Sequence, residues 1–162
     1  MGLDMNLYAK VYVGGRYHKI VDNFIEFEKG WKSQITTMKI PTKHIYEVVY
    51  DIGYWRKANQ IHKWFVDNVQ DGEDDCRQYS VSKEQLLALK KICDDLLKSK
   101  DKEEALELLP PCEGFFFGST NTELDEFWEC YWGDLSNTST IITTALDYID
   151  KYEAYIYYVS SW

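Results

Sequence analysis

Apolar and polar residues alternate with a period of two at the start of the chain. Leu3, Met5, Leu7, Ala9, Val11 and Val13 fall on one side, and Asp4, Asn6, Tyr8, Lys10 and Tyr12 on the other. That pattern predicts a half-buried strand, ended by Gly14-Gly15. Asp4, Asn6 and Tyr8 share its polar face, where a binding site or plain solvent would suit them equally. Tyr17 to Val21 and Ser33 to Ile40 predict edge strands or a hairpin with Lys29-Gly30 between them, and Pro41 breaks the run. A further strand is expected over His44 to Asp51.

After Gly53 the period changes to that of a helix, expected over Tyr54 to Asn68. Tyr54, Ala58, Ile61 and Phe65 form its apolar stripe. Trp55, His62 and Val66 lie beside the stripe and Asn59 at its border, while Arg56, Gln60 and Lys63 point to water. Asp71-Gly72 reads as a turn in an acidic loop. The EF-hand spacing fails there, since the third and twelfth positions counted from Asp67 are Val69 and Gln78. Asp74 or Asp75 is placed to fold back on Arg56 or Lys63.

Ser82 and Gln85 make a capping box for a second helix with Leu86, Leu89, Cys93 and Leu96 inward. Asp101 to Leu109 reads as a short helix stopped by Pro110-Pro111. In Glu113 to Thr120 three consecutive phenylalanines cannot all enter one core, and Gly118-Ser119-Thr120 forms a turn that lacks the lysine of a phosphate loop. Thr122 to Trp132 is acidic and aromatic. Asp134 or Ser136 is then expected to cap a helix with Ile142, Ala145, Leu146 and Ile149 inward. The close, Tyr152 to Trp162, alternates as a strand and is expected to pair with the first. The sum is an α+β fold: a mostly antiparallel sheet with about three main helices, in one domain over residues 1–162.

Composition narrows the function. The net charge of −9 argues against direct nucleic-acid binding, which needs clustered Lys and Arg. Six Trp and thirteen Tyr suit both a core and a binding surface. Cys76, Cys93, Cys112 and Cys130 lie 17, 19 and 18 residues apart, without CxxC or zinc spacing, so neither metal nor cofactor is expected. Met1 to Lys10 has no signal-peptide pattern, and no run approaches the ~20 apolar residues of a membrane span. Free thiols in a reducing cytosol, away from membranes, are the expected setting.

The candidate ligand-binding residues are Asp4, Tyr54, Trp55, Arg56, Asn59, His62, Phe116 and Ser119. Aromatics hold bases by stacking, and Arg holds phosphates. A half-buried His62 and Asn59 need partners, from the protein itself or from a ligand. Arg56 points away from Asn59 and His62 on the expected helix, so a second protomer, in a homodimer, would complete the site.

The blocks MGLDMNLYAK, YWRKANQIHKWFVDNVQDGEDDC, QYSVSKEQL and ELLPPCEGFFFGST together resemble a small family of phage and prophage proteins. The resemblance covers most of the chain, with Arg16 to Thr42 outside it. It implies a phage accessory protein in the cytoplasm of a bacterial host, with an anti-defence role in the host–virus interaction, and it supplies no catalytic residues. The first expectation is therefore a protein that sequesters a small nucleotide-like immune signal. The second is an acidic inhibitor of a host defence protein, anchored through the segment Glu123 to Trp132. An enzyme with His62 as acid/base and Asp4 as its orienter ranks last, since no nucleophile, metal or phosphate-loop motif accompanies it.

Overall fold

The computed structural model describes residues 2–13, 24–31, 34–41 and 45–162, with the backbone alone for 24–31 and 34–41. The chain divides into two compact units, Met1–Lys10 with Val49–Trp162, and Val11–Val48.

In the larger unit the period-two pattern does what it predicts. Strand β1 (Asp4–Tyr12) buries Met5, Leu7 and Ala9 completely, with Leu3 buried just before it, and leaves Asp4, Asn6 and Tyr8 on the polar face. It pairs antiparallel with β6 (Tyr155–Ser161), in a register running from Asp4 opposite Ser161 to Lys10 opposite Tyr155. The first and last strands are thus neighbours, as their patterns suggest. A short strand, β5 (Tyr79–Val81), lies antiparallel on the other side of β6. The long β4 (Glu47–Arg56) flanks β1 and completes a four-stranded sheet in the order β4-β1-β6-β5. The expected α+β fold with a mostly antiparallel sheet is what the chain adopts.

The smaller unit contains an antiparallel hairpin of β2 (Phe24–Trp31) and β3 (Gln34–Pro41). Lys29 and Gly30, expected at its turn, are instead within β2, paired with Thr36 and Ile35, and the strands close at Trp31 opposite Gln34. An unstrained glycine inside a strand is tolerated when its backbone is paired. The expected strand Tyr17 to Val21 lies outside the described residues.

Four helices accompany the larger sheet: α1 (Asn59–Val69), α2 (Lys83–Ser99), α3 (Lys102–Leu108) and α4 (Asp125–Tyr152). The capping box on α2 forms in full, with Ser82 Oγ accepting from the Gln85 amide and Gln85 Oε1 from the Ser82 amide. Leu86, Leu89, Cys93 and Leu96 are all buried, and burial pushes the Cys93 thiol up to about 12, which makes it an inert core residue. Asp101 caps α3 through the amides of Glu103 and Glu104.

Two helix boundaries differ from the sequence pattern. The helix expected from Tyr54 begins at Asn59, because Ile52 to Arg56 continue β4. Gly53 is buried there against Ile141 of α4, where any Cβ would collide with the isoleucine side chain. It is a packing glycine and not a helix start. Likewise α4 begins at Asp125, so Asp134 and Ser136 sit inside a helix rather than at its cap. Phe127, Trp128, Tyr131, Leu135, Thr138, Ile142 and Ala145 form one continuous buried stripe across that point. The Ser/Thr run that follows the expected cap is helical throughout. The hydroxyls of Thr138, Thr140, Thr143 and Thr144 donate to the carbonyls four residues back.

Candidate functional site

The connection from β4 to α1 creates the most distinctive local geometry. Lys57 adopts a left-handed backbone (φ 60°) that turns the chain out of the sheet. Its amide donates to Leu3 O at 2.8 Å, and the Asn59 amide donates to Lys57 O at 2.9 Å. Helix α1 then starts at Asn59, with Ala58 as its N-cap residue and no side-chain cap. The loop after the three phenylalanines is fastened to this corner. Asn59 Nδ2 donates to Phe117 O (3.3 Å) and Ser119 O (3.2 Å). Gly118 has φ 105°, and a Cβ there would sit 3.0 Å from Lys57 O, so the close approach of loop and corner requires glycine.

Between this corner and the first half of α4 lies a cleft of about 480 Å³. Volumes of ~300–1,000 Å³ are usual for small-molecule sites. The β4–α1 corner contributes Arg56, Lys57, Asn59 and Gln60. The loop contributes Gly118, Ser119 and Leu124, and α4 contributes Phe127, Cys130, Tyr131 and Asp134 with Glu126 and Gly133. Two cationic residues, Arg56 and Lys57, thus line the cleft with the carboxylate of Glu126, an apolar wall, and a polar pair of one buried and one half-buried residue.

That pair is Gln60 and Asp134. Gln60 is only 3% exposed, and its Nε2 donates to Asp134 Oδ2 at 3.0 Å. Burial pushes the Asp134 carboxyl up to about 6, while the Gln60 hydrogen bond pulls it down. The Tyr131 hydroxyl is committed to the carbonyls of Ala105 (3.0 Å) and Leu109 (2.9 Å), so Tyr131 offers the cleft no free donor. Asn59 Oδ1 is buried with no hydrogen-bond partner among the described residues.

The eight residues expected to bind ligand are distributed over four places. Arg56, Asn59 and Ser119 line the cleft together. Tyr54 lies on the polar face of the sheet, where its hydroxyl donates to the Asp4 carboxylate and the same bond raises its pKa. Trp55, on the opposite face of β4, is a core residue whose Nε1 donates to Thr138 Oγ1 at 2.8 Å. Phe116 sits at the loop tip with φ 61°, exposed, its ring edge-on to Phe115.

His62 is completely buried, with Nδ1 2.8 Å from the Tyr158 hydroxyl and Nε2 3.1 Å from Asp74. Phe117 packs edge-on against the ring. Asp74, from the acidic turn, thus folds back on His62 and on the Trp162 indole N–H rather than on Arg56 or Lys63. Asp4 is not the partner of His62. Burial lowers the His62 pKa more than the Asp74 carboxylate raises it, so the ring is neutral at physiological pH.

Gln60 and Asp134 were not singled out as site residues: Gln60 was expected to face water, but the whole first turn of α1 from Asn59 to His62 is buried, and Asp134 was expected at a helix cap, but α4 runs through it. With α4 continuous from Asp125, Asp134 falls three residues after Tyr131 on the border of the buried stripe, and a carboxylate there is a visible signal. Among the described residues, no group of three or more His, Cys, Asp or Glu is arranged to hold a metal, and no helix is long and apolar enough to cross a membrane. No protein-family model matches the chain, and no curated protein or solved structure is significantly similar to it.

Proposed function

We propose that the protein binds a small nucleotide-like ligand in the cleft beside α1 and, as a phage accessory protein, sequesters an immune signal of its bacterial host. The observation that carries the binding step is the composition of the cleft: Arg56 and Lys57 in its lining, an apolar wall from Leu124 and Phe127, and buried Gln60 bonded to half-buried Asp134, around one small-molecule-sized space. Cations suit phosphates, the apolar wall suits a ring, and the Gln60–Asp134 pair supplies orientation. The phage setting rests on the sequence resemblance.

The test is native mass spectrometry of protein purified from phage-infected, defence-bearing cells, with denaturing release of anything bound. A released nucleotide-like mass, absent from an Arg56→Ala/Lys57→Ala variant, is the expected result. A mass retained by that variant overturns the assignment of the cleft. A host protein co-purifying without a small molecule would instead support an inhibitor. Its anchors would be Phe115 and Phe116, which are 75% and 57% exposed, and not Trp128, which is buried.

A further inference from the structure

We propose that Gln60 and Asp134 select the base of the ligand, and that this base is guanine-like, with a ring N–H beside an exocyclic amino group. This rests on the nucleotide reading of the cleft and adds the identity of its base.

The argument is one of donors and acceptors. One N–H of Gln60 Nε2 is given to Asp134 Oδ2, and the other stays free to donate, as to the O6 carbonyl of a guanine. An ionised carboxylate can only accept, so this bond also fixes which way the Gln60 amide faces. Asp134 Oδ1 and Gln60 Oε1 are then left without a donor among the described residues, and both residues line the cleft. Neither oxygen is sealed away in the manner of Asn59 Oδ1. A ligand that fills the cleft displaces the water on these adjacent acceptors and must supply donors in its place, because a polar group left unpaired there forfeits its hydration.

The Watson–Crick edge of guanine carries N1–H and N2–H2 side by side and meets that demand. Adenine would bring its N1 lone pair against the carboxylate. Sites built to hydrogen-bond one pattern reject the mismatched analogue strongly, since their own polar groups are left unpaired. Lys57, three residues before Gln60, is a cationic residue of the same cleft lining.

Isothermal titration calorimetry of the intact chain with GMP, AMP and ribose 5-phosphate tests this. GMP is expected to bind at least tenfold more tightly than AMP. Asp134→Asn is expected to lower GMP affinity at least tenfold and to leave ribose 5-phosphate binding unchanged. If AMP binds as well as GMP, or if Asp134→Asn binds GMP normally, the base assignment is overturned and the nucleotide cleft stands. If none of the three binds, both fall. The comparison of GMP with AMP on the unmutated chain decides the matter even if the variant fails to fold.

Discussion

Between Tyr158 and Asp74 the His62 ring stays neutral, and that gives its stability contribution a sign. In the unfolded chain a histidine takes up a proton near pH 6.5, while the folded pKa lies lower. Below about pH 6.5 the unfolded state therefore binds more protons, and this contribution is lost as pH falls toward the folded pKa. His62→Ala removes the ring partner of the Tyr158 hydroxyl, leaves Asp74 with only the Trp162 indole N–H, and opens a cavity under Phe117. The expected loss is about 2–4 kcal/mol, read as a lower urea midpoint at pH 7.5. An unchanged midpoint would mean that the clamp carries no stability. Asp134 runs the other way. Its carboxyl ionises at about 6 when folded against 3.8 for the free group, so its contribution is present below 3.8 and lost as pH rises through about 6. Asp134→Asn should gain stability over the parent, from nearly nothing at pH 4 to on the order of 2 kcal/mol at pH 8. Urea midpoints of the two proteins at both pH values check this.

At the level of elements, β1, α2, α3 and β6 were legible because each carries its own signal: strict alternation, a full capping box, an Asp cap before a double proline, and alternation again. The β4–α1 and α4 boundaries were not, because tertiary contacts decide them. Tyr54 and Trp55 fit a strand or a helix, and what places them in β4 is pairing with β1 and the packing of Gly53 on Ile141. The candidate site suffered from the same ambiguity. Arg56, Asn59 and Ser119 reach the cleft, yet Trp55 and His62, credited to the same helix face, enter the core instead. The Gly53 contact is testable. Gly53→Ala should cost about 1–3 kcal/mol through overpacking against α4. Ile141→Ala in the same chain should return part of that loss, giving a non-additive double-mutant cycle in urea unfolding. Additivity would mean that the two residues do not meet.

For the whole molecule, the last strand holds the larger unit together. β6 lies between β1 and β5, so it satisfies backbone groups on both neighbours at once. Its inward residues Ile156 and Tyr158 are buried, and Tyr158 stacks on Phe65 of α1 with ring centroids 4.0 Å apart. The same strand supplies the hydroxyl that holds His62, and Trp162 beyond it donates to the Asp74 that holds the other side of that ring. Sheet, helix α1 and acidic turn therefore converge on residues 155–162. Deleting them would unpair one edge of β1, strand β5 entirely, and expose the apolar face of Met5, Leu7 and Ala9. We expect such a truncation to lose its cooperative urea transition. Trp162→Ala, which removes one exposed hydrogen bond and one aromatic contact, should keep a sharp transition at a cost of about 1–2 kcal/mol. Circular dichroism and tryptophan fluorescence across urea distinguish the two. A sharp transition in the truncated chain would show that β1 and β4 organise the core without β6, and that joining the two ends of the chain is not what makes this unit fold.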